Sequence, residues 1–391
     1  MSSSSHSRLL VPVLCLLAAL GIFSTSLYLP SMPAIGVALN TSMSSVQLTL
    51  TVFFLGSSLG YLFLGPLADR VGRLLVAKMG LILFIAASFW CAESESILSL
   101  QIARFIQGMA ASTGPLIARA VGRDLYEGHH LTRYTATIMM VISVSPAIAP
   151  IIGGFIVSHF GWDMNFYFLM LFGFFTILMI WIWLPETNGY RKKSAQPFSI
   201  FKNYALLFKG PSFGLLCFVL GTQYAILFCY ITLSPYLFMS FFGWSALEYG
   251  YIGIVGALGN MAGFAFARRL AHRIHFHQGI LIGSLLCFLL SFVFVGACLF
   301  FPIKAYLLVL YVVSFFCISS LAIVNATAAA MNLYPKMAGT ASAMMGALQI
   351  GAGAIGSALA SVLPISPCAV GITMGILSFL SFLAGIFMKK K

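Results

Sequence analysis

The chain reads as an all-α membrane protein of twelve spanning helices in two six-helix halves, and three observations lead there. Of its 391 residues, 61% are hydrophobic and 7% charged, with mean hydropathy +1.02. A surface facing water needs about a quarter of residues charged, so packing in water is excluded. The apolar runs are continuous over about 20 residues, the length of a helix crossing ~30 Å of hydrocarbon. A barrel would instead show alternating segments of about ten residues. Finally, the basic residues segregate to one side of the spans that these runs define.

Spans are predicted at 9–29, 45–64, 74–92, 97–118, 134–158, 164–184, 213–240, 246–267, 279–299, 305–331, 338–362 and 368–388. The termini and the loops sharing one side then hold Arg8; Arg70, Arg73 and Lys78; Arg119, Arg123 and Arg133; Arg191, Lys192, Lys193, Lys202 and Lys209; Arg268, Arg269 and Arg273; Lys336; and Lys389, Lys390 and Lys391. That is 19 of the 21 Lys and Arg. Lys304 lies in an opposite loop and Arg104 within a span. Both termini are therefore expected in the cytoplasm. The net charge of +13 is a record of topology, not a nucleic-acid footprint.

In order along the chain, the first span follows Arg8 and ends at Tyr28-Leu29-Pro30 without a small-residue cleavage site, so it reads as retained, not as a signal peptide. Between the second and third spans, Gly65-Pro66-Leu67-Ala68-Asp69-Arg70-Val71-Gly72-Arg73 reads as a tight, charged cytoplasmic hairpin. The fourth span carries Arg104. Counted back from Arg119, it lies about 22 Å up its helix, where a guanidinium costs ~2.5–3.5 kcal/mol and needs a cavity and a partner. Snorkelling to the outer surface is the alternative. In the fifth span Pro146, Pro150, Gly153 and Gly154 line roughly one helical face, where prolines bend a helix and glycines admit a neighbour.

A polar, basic stretch divides six spans from six, giving halves 1–190 and 213–391 with a linker at 191–212. Gly263-Phe264-Ala265-Phe266-Ala267-Arg268-Arg269, after the eighth span, is a faded echo of the first-half hairpin. The eleventh span is rich in glycine (Gly339, Gly346, Gly351, Gly353, Gly356), read as close helix contact. Gln107, Gln223, Tyr224, Tyr230, Asn325 and Gln349 are polar groups within spans, lining an amphiphile cavity or bonding between helices. The eight cysteines show no metal or redox spacing. His272, His275 and His277 lack a nearby acid or cysteine, so no metal site is expected. No phosphate-binding loop, nucleophile elbow or catalytic carboxylate pair is present; neither an enzyme nor a cofactor is expected.

Several motifs carry a resemblance. G-x-L-A-D-R-x-G-R at 65–73 resembles the signature loop of the major facilitator superfamily of transporters. Ser145–Gly154 resembles the fifth-span motif of its exporters, and Arg104-Phe105-Ile106-Gln107-Gly108 the R-x-x-Q-G of proton-coupled drug exporters. Ser26-Leu27-Tyr28-Leu29-Pro30-Ser31-Met32-Pro33-Ala34-Ile35 is similar to the D-x-Y-L-P-A-x-P-x-I of the Bcr/CflA group of multidrug exporters. Arg119–Tyr126 is similar to that group's R-A-x-x-R-D-x-Y. The resemblance implies the major facilitator fold, with a substrate site between halves near the midplane. It also implies an arginine associated with proton transfer and a loop network holding one conformation. That network is expected of Gly65, Asp69, Arg70, Gly72, Arg73, Arg119, Arg123 and Asp124, with Asp69 capping helix amides and pairing with Arg119 or Arg123.

One departure stands out: Ser26 replaces the group's intramembrane aspartate, about 27 Å up from Arg8. The chain has eight acids, and each has a loop reading. Asp69, Asp124, Glu127 and Glu186 are cytoplasmic, Glu93 and Glu95 lie in an outer loop, Asp163 caps the sixth span, and Ser245–Glu248 forms a capping box. The expectation is a monomeric, multi-pass transporter of the bacterial inner membrane, amid lipid, that exports small amphiphilic compounds, with protons as coupling ion. Ser26, Tyr28, Arg104 and Gln107 are placed near the coupling path. The alternative is uptake or exchange of an anionic metabolite, with Arg104 as its charge partner.

Overall fold

The computed structural model describes residues 3–187, 204–208, 211–270, 273–334 and 338–388. The linker predicted at 191–212 lies largely outside them, as does His272. The chain divides into two compact units, Met1–Ile200 and Phe201–Lys391. Eleven helices among the described residues are long and apolar enough to cross a membrane.

The first unit opens with α1 (Ser3–Ser26), a 3-10 turn (Leu29–Ser31) and α2 (Met32–Ala38). Together they make one apolar segment, Leu9–Ala38, longer than the predicted 9–29 and interrupted at Leu27-Tyr28. Pro30 and Pro33 lack the N–H groups that would close the next turns, so the α-helix cannot run through. Next come α3 (Met43–Val71), α4 (Arg73–Ala92), α5 (Ile97–Ala111), α6 (Thr113–Leu125), α7 (Gly128–Phe160) and α8 (Met164–Trp183). Ser42 and Ser96 start α3 and α5 by accepting from Ser45 N (3.2 Å) and Ser99 N (3.3 Å).

Two readings are corrected here. The predicted fourth span, 97–118, is two helices meeting at Ser112, and α6 carries the chain on to Leu125. The nine-residue hairpin is mostly helix: α3 continues through Gly65, Pro66, Asp69 and Arg70, leaving Gly72 alone between α3 and α4. Gly72 has φ 115°, a conformation L side chains rarely adopt, and its backbone faces the Glu186 carboxylate. One glycine therefore does the work of the expected loop. Pro146 and Pro150 sit inside α7, which is helical from end to end.

The second unit contains α9 (Pro211–Pro235) running into a π-helical turn (Tyr236–Phe241), then α10 (Ala246–Leu270) and α11 (Phe276–Phe300). It ends with α12 (Ala305–Leu333), α13 (Ala338–Ala360) and α14 (Pro367–Phe387). The capping box before α10 forms: Ser245 N donates to Glu248 Oε2 (2.7 Å) and Glu248 N to Ser245 Oγ (3.2 Å). His275 caps α11 in a second box with Gln278, so this histidine serves a helix end. Gly356 of α13 packs on the backbone of Ala225 and Gly353 on the ring of Phe228, both on α9.

Candidate functional site

Arg104 of α5 is completely buried. No carboxylate pairs with it among the described residues, which include all eight acids. Its compensation is of another kind. Nη1 donates to the Ser24 carbonyl (3.1 Å) and to Gln107 Oε1 (2.6 Å). Ser24 lies in the last turn of α1, where carbonyls lack helical partners and the helix dipole is negative. The guanidinium also lies over the rings of Tyr28 (4.4 Å) and Phe53 (4.3 Å), with Phe166 at 5.8 Å. Cation–π contacts reach about 2 kcal/mol when desolvated and a helix end adds ~0.3–1 kcal/mol. The sum is comparable to the ~2.5–3.5 kcal/mol cost of the buried charge, so no acid is needed to keep it there.

The network extends outward from this cation. Gln107 Nε2 donates to Ser88 Oγ of α4 (2.8 Å), and Ser88 donates to Phe84 O (2.7 Å). Because Gln107 must accept from Arg104, its amide orientation is determined. Tyr28 and Thr49 share a hydrogen bond of 2.6 Å. Thr49 gives its proton to Val46 O (2.6 Å), so the tyrosine hydroxyl is the donor. The break in the first span is also held from the fifth and sixth. Gly153 of α7 abuts the Leu27 carbonyl so closely that a Cβ there would collide with it. Asn165 of α8 donates to Ser31 Oγ (2.6 Å) and Gly153 O (3.2 Å). Ser26 is buried beside this break, and Gly154 is buried next to Gly153. Arg104 Nε and Nη2 and Asn165 Oδ1 find no hydrogen-bond partner among the described residues.

The second-unit candidates do not gather into one site. Gln223 of α9 is buried and donates to Ser381 Oγ of α14 (3.3 Å), which bonds Ser284 Oγ of α11 (2.9 Å). Asn325 turns back to its own helix, donating to Leu321 O (2.8 Å). Tyr224 is half-buried, edge-on to Phe228; Tyr230 packs against Phe316; Gln349 is half-buried.

At the other end of the first unit, Asp69 pairs with Arg73, folded back on it by the Gly72 turn. Arg73 Nε also reaches Asp124 Oδ2 (3.2 Å), which accepts from Thr187 Oγ1 (3.1 Å). This corrects the expected pairing: Arg119 and Arg123 are exposed and enter no ion pair among the described residues. The cap on α4 comes from Glu186, which accepts from Arg73 N (3.0 Å) and Leu74 N (3.3 Å). Sequence reasoning missed Glu186, Asn165, Ser88 and the ring pair Phe53 and Phe166. Asn165, an amide opening an apolar run, carried a usable signal; the Ser24 carbonyl carried none.

A cation held at the open end of an interrupted helix, deep in an apolar bundle, is in keeping with membrane transporters, in which discontinuous helices present their ends to ions. A model described as Major Facilitator Superfamily matches residues 14–361. The chain belongs to that superfamily. It is 28% identical to a bicyclomycin resistance protein homolog of Haemophilus influenzae, covering 100% of this chain and 98% of the relative. It is 29% identical to multidrug resistance protein D of Escherichia coli, covering 91% and 89%. These relatives agree with the Bcr/CflA resemblance of its motifs. Among solved structures, the D-xylose–proton symporter superposes with TM-score 0.76 at 16% identity, covering 98% of each chain, which shows the fold.

Proposed function

We propose that this transporter exports small amphiphilic compounds from the bacterial cytoplasm by alternating access, as a monomer in the inner membrane with both termini inside. The observation that carries this reading is the near full-length match to relatives named for bicyclomycin and multidrug resistance. The Arg104–Gln107 network beside the first-span break supports a place for both residues in the coupling path. With Ser26 where an aspartate is expected, protons couple through the cargo's own proton or through a rim acid such as Asp163. The Pro146–Gly154 face of α7 and the Asp69–Arg73–Asp124 network serve the conformational change.

A growth screen across chemically diverse toxic compounds, with and without the chain, tests the export reading; protection against none of them overturns it. In vesicles with an imposed pH gradient, dye movement should follow the gradient, and indifference to it removes proton antiport. Ser26→Asp should steepen the gradient dependence. The alternative, exchange of an anionic metabolite, draws on the unpartnered Nε and Nη2 of Arg104. Arg104→Lys separates the two readings: an anion clamp loses cargo affinity, whereas a coupling role changes pH dependence.

A further inference from the structure

An apolar groove of about 430 Å³ runs along the outside of the first unit, between α3, α4 and the end of α5. It is lined by Leu64 and Leu67 of α3, by Val76, Gly80 and Leu83 of α4, and by Met109 of α5, shortly before the fourth span breaks at Ser112. Ala86 and Ala110 carry little side chain into it, and Gly80 lets Thr113 of α6 pack closely against α4 beside it. Leu67, Met79, Ile82 and Leu83 are exposed along it, so it opens away from the unit's core. From Val76 to Ala86 is ten residues, about 15 Å of helix, half the ~30 Å hydrocarbon thickness. The groove therefore spans one leaflet, and the neighbouring Arg70, Arg73 and Lys78 mark that leaflet as cytoplasmic.

At its foot stands an exposed cation. Arg70 follows Leu67 by three residues on α3, on the same face and one turn nearer the helix end. It is exposed and in no ion pair among the described residues. Arg73, just beyond, is held by both Asp69 and Asp124. One arginine is thus spent within the protein, while the other is left where lipid phosphates lie, above a slot one leaflet deep. We propose that this is a binding site for an anionic phospholipid of the cytoplasmic leaflet, with an acyl chain in the groove and the headgroup phosphate on Arg70. The site is independent of cargo and of transport direction.

The test is native mass spectrometry of the full chain after equilibration in vesicles of phosphatidylglycerol or phosphatidylcholine, with inorganic phosphate as a third arm. Phosphatidylglycerol should be retained on the wild type over phosphatidylcholine. Arg70→Gln should lower its occupancy about fivefold, leaving the neutral lipid unchanged. Leu83→Trp, at an exposed position, should fill the groove and lower retention of both lipids while Arg70 is intact. Equal retention of the two lipids by the wild type overturns the proposal, as does phosphatidylglycerol occupancy unmoved by Arg70→Gln. Phosphate displacing the lipid shows that a headgroup site alone exists and overturns the groove. A dimer that lipid does not dissociate shows a second copy as the occupant and overturns it equally.

Discussion

The two units solve the burial of polar groups differently. In the first, the polar core is charged and built on interruptions: the first span stops at Ser26 and resumes as a 3-10 turn, and the fourth changes helix at Ser112. In the second, α9 reaches Pro235 before its π-helical turn and α12 runs 29 residues without a break; the polar core is an amide and hydroxyls, Gln223, Ser381 and Ser284. The contrast teaches that buried charge and broken helix come together. A continuous helix spends its carbonyls on itself, whereas an interrupted one leaves a negative end that receives a guanidinium.

The largest expected effect is common to both units. Gly153→Leu and Gly356→Leu each drive a side chain into a facing backbone carbonyl, at Leu27 and Ala225. Each should cost about 3 kcal/mol or more, read as loss of monodisperse protein. Tolerance of one but not the other would show unequal rigidity in the two units. The next separates them. Arg104→Gln should reduce export about tenfold or more with the melting temperature little changed, since the burial cost of ~2.5–3.5 kcal/mol that it removes is about matched by the ring and carbonyl contacts that it loses. Gln223→Leu should leave export within about twofold, as interhelical hydrogen bonds average ~0.6 kcal/mol. Equal losses of export would dissolve the comparison. A smaller effect sharpens it: Asn165→Ala, which strips the first-span break of a buried donor, should destabilise by about 1–3 kcal/mol. Ser381→Ala should cost less, about 0.6 kcal/mol, by the same thermal measurement.

Helices and their approximate limits were legible because hydropathy and length report directly on a membrane span. Arg104 and Gln107 were legible as anomalies, since an ionised group among apolar residues demands an explanation. What lay beyond reach was compensation. Arg104's partner is the carbonyl of Ser24, and every residue has a carbonyl, so no side chain announces it. The span breaks at Leu27 and Ser112 fall inside apolar runs that hydropathy cannot divide. The cap on α4 comes from Glu186, more than a hundred residues from Arg73 in sequence, where local motif reasoning favoured the nearer Asp69. In the second unit, polarity within a span was too common to mark a site, and Gln223, Asn325 and Gln349 keep separate surroundings.

That no carboxylate pairs with Arg104 among the described residues has an electrical consequence. An arginine neutralised by a carboxylate is invisible to the membrane voltage, but this one is a fixed unit of positive charge in the hydrocarbon. Any rocking of the first unit that carries it along the membrane normal does work against the field, about 2.3 kcal/mol per 100 mV for a full crossing and proportionally less for part of one. In the alternating-access reading proposed above, an interior-negative potential would favour the conformation that sets this guanidinium nearer the cytoplasm, and the resting orientation would follow how strongly the membrane is energised.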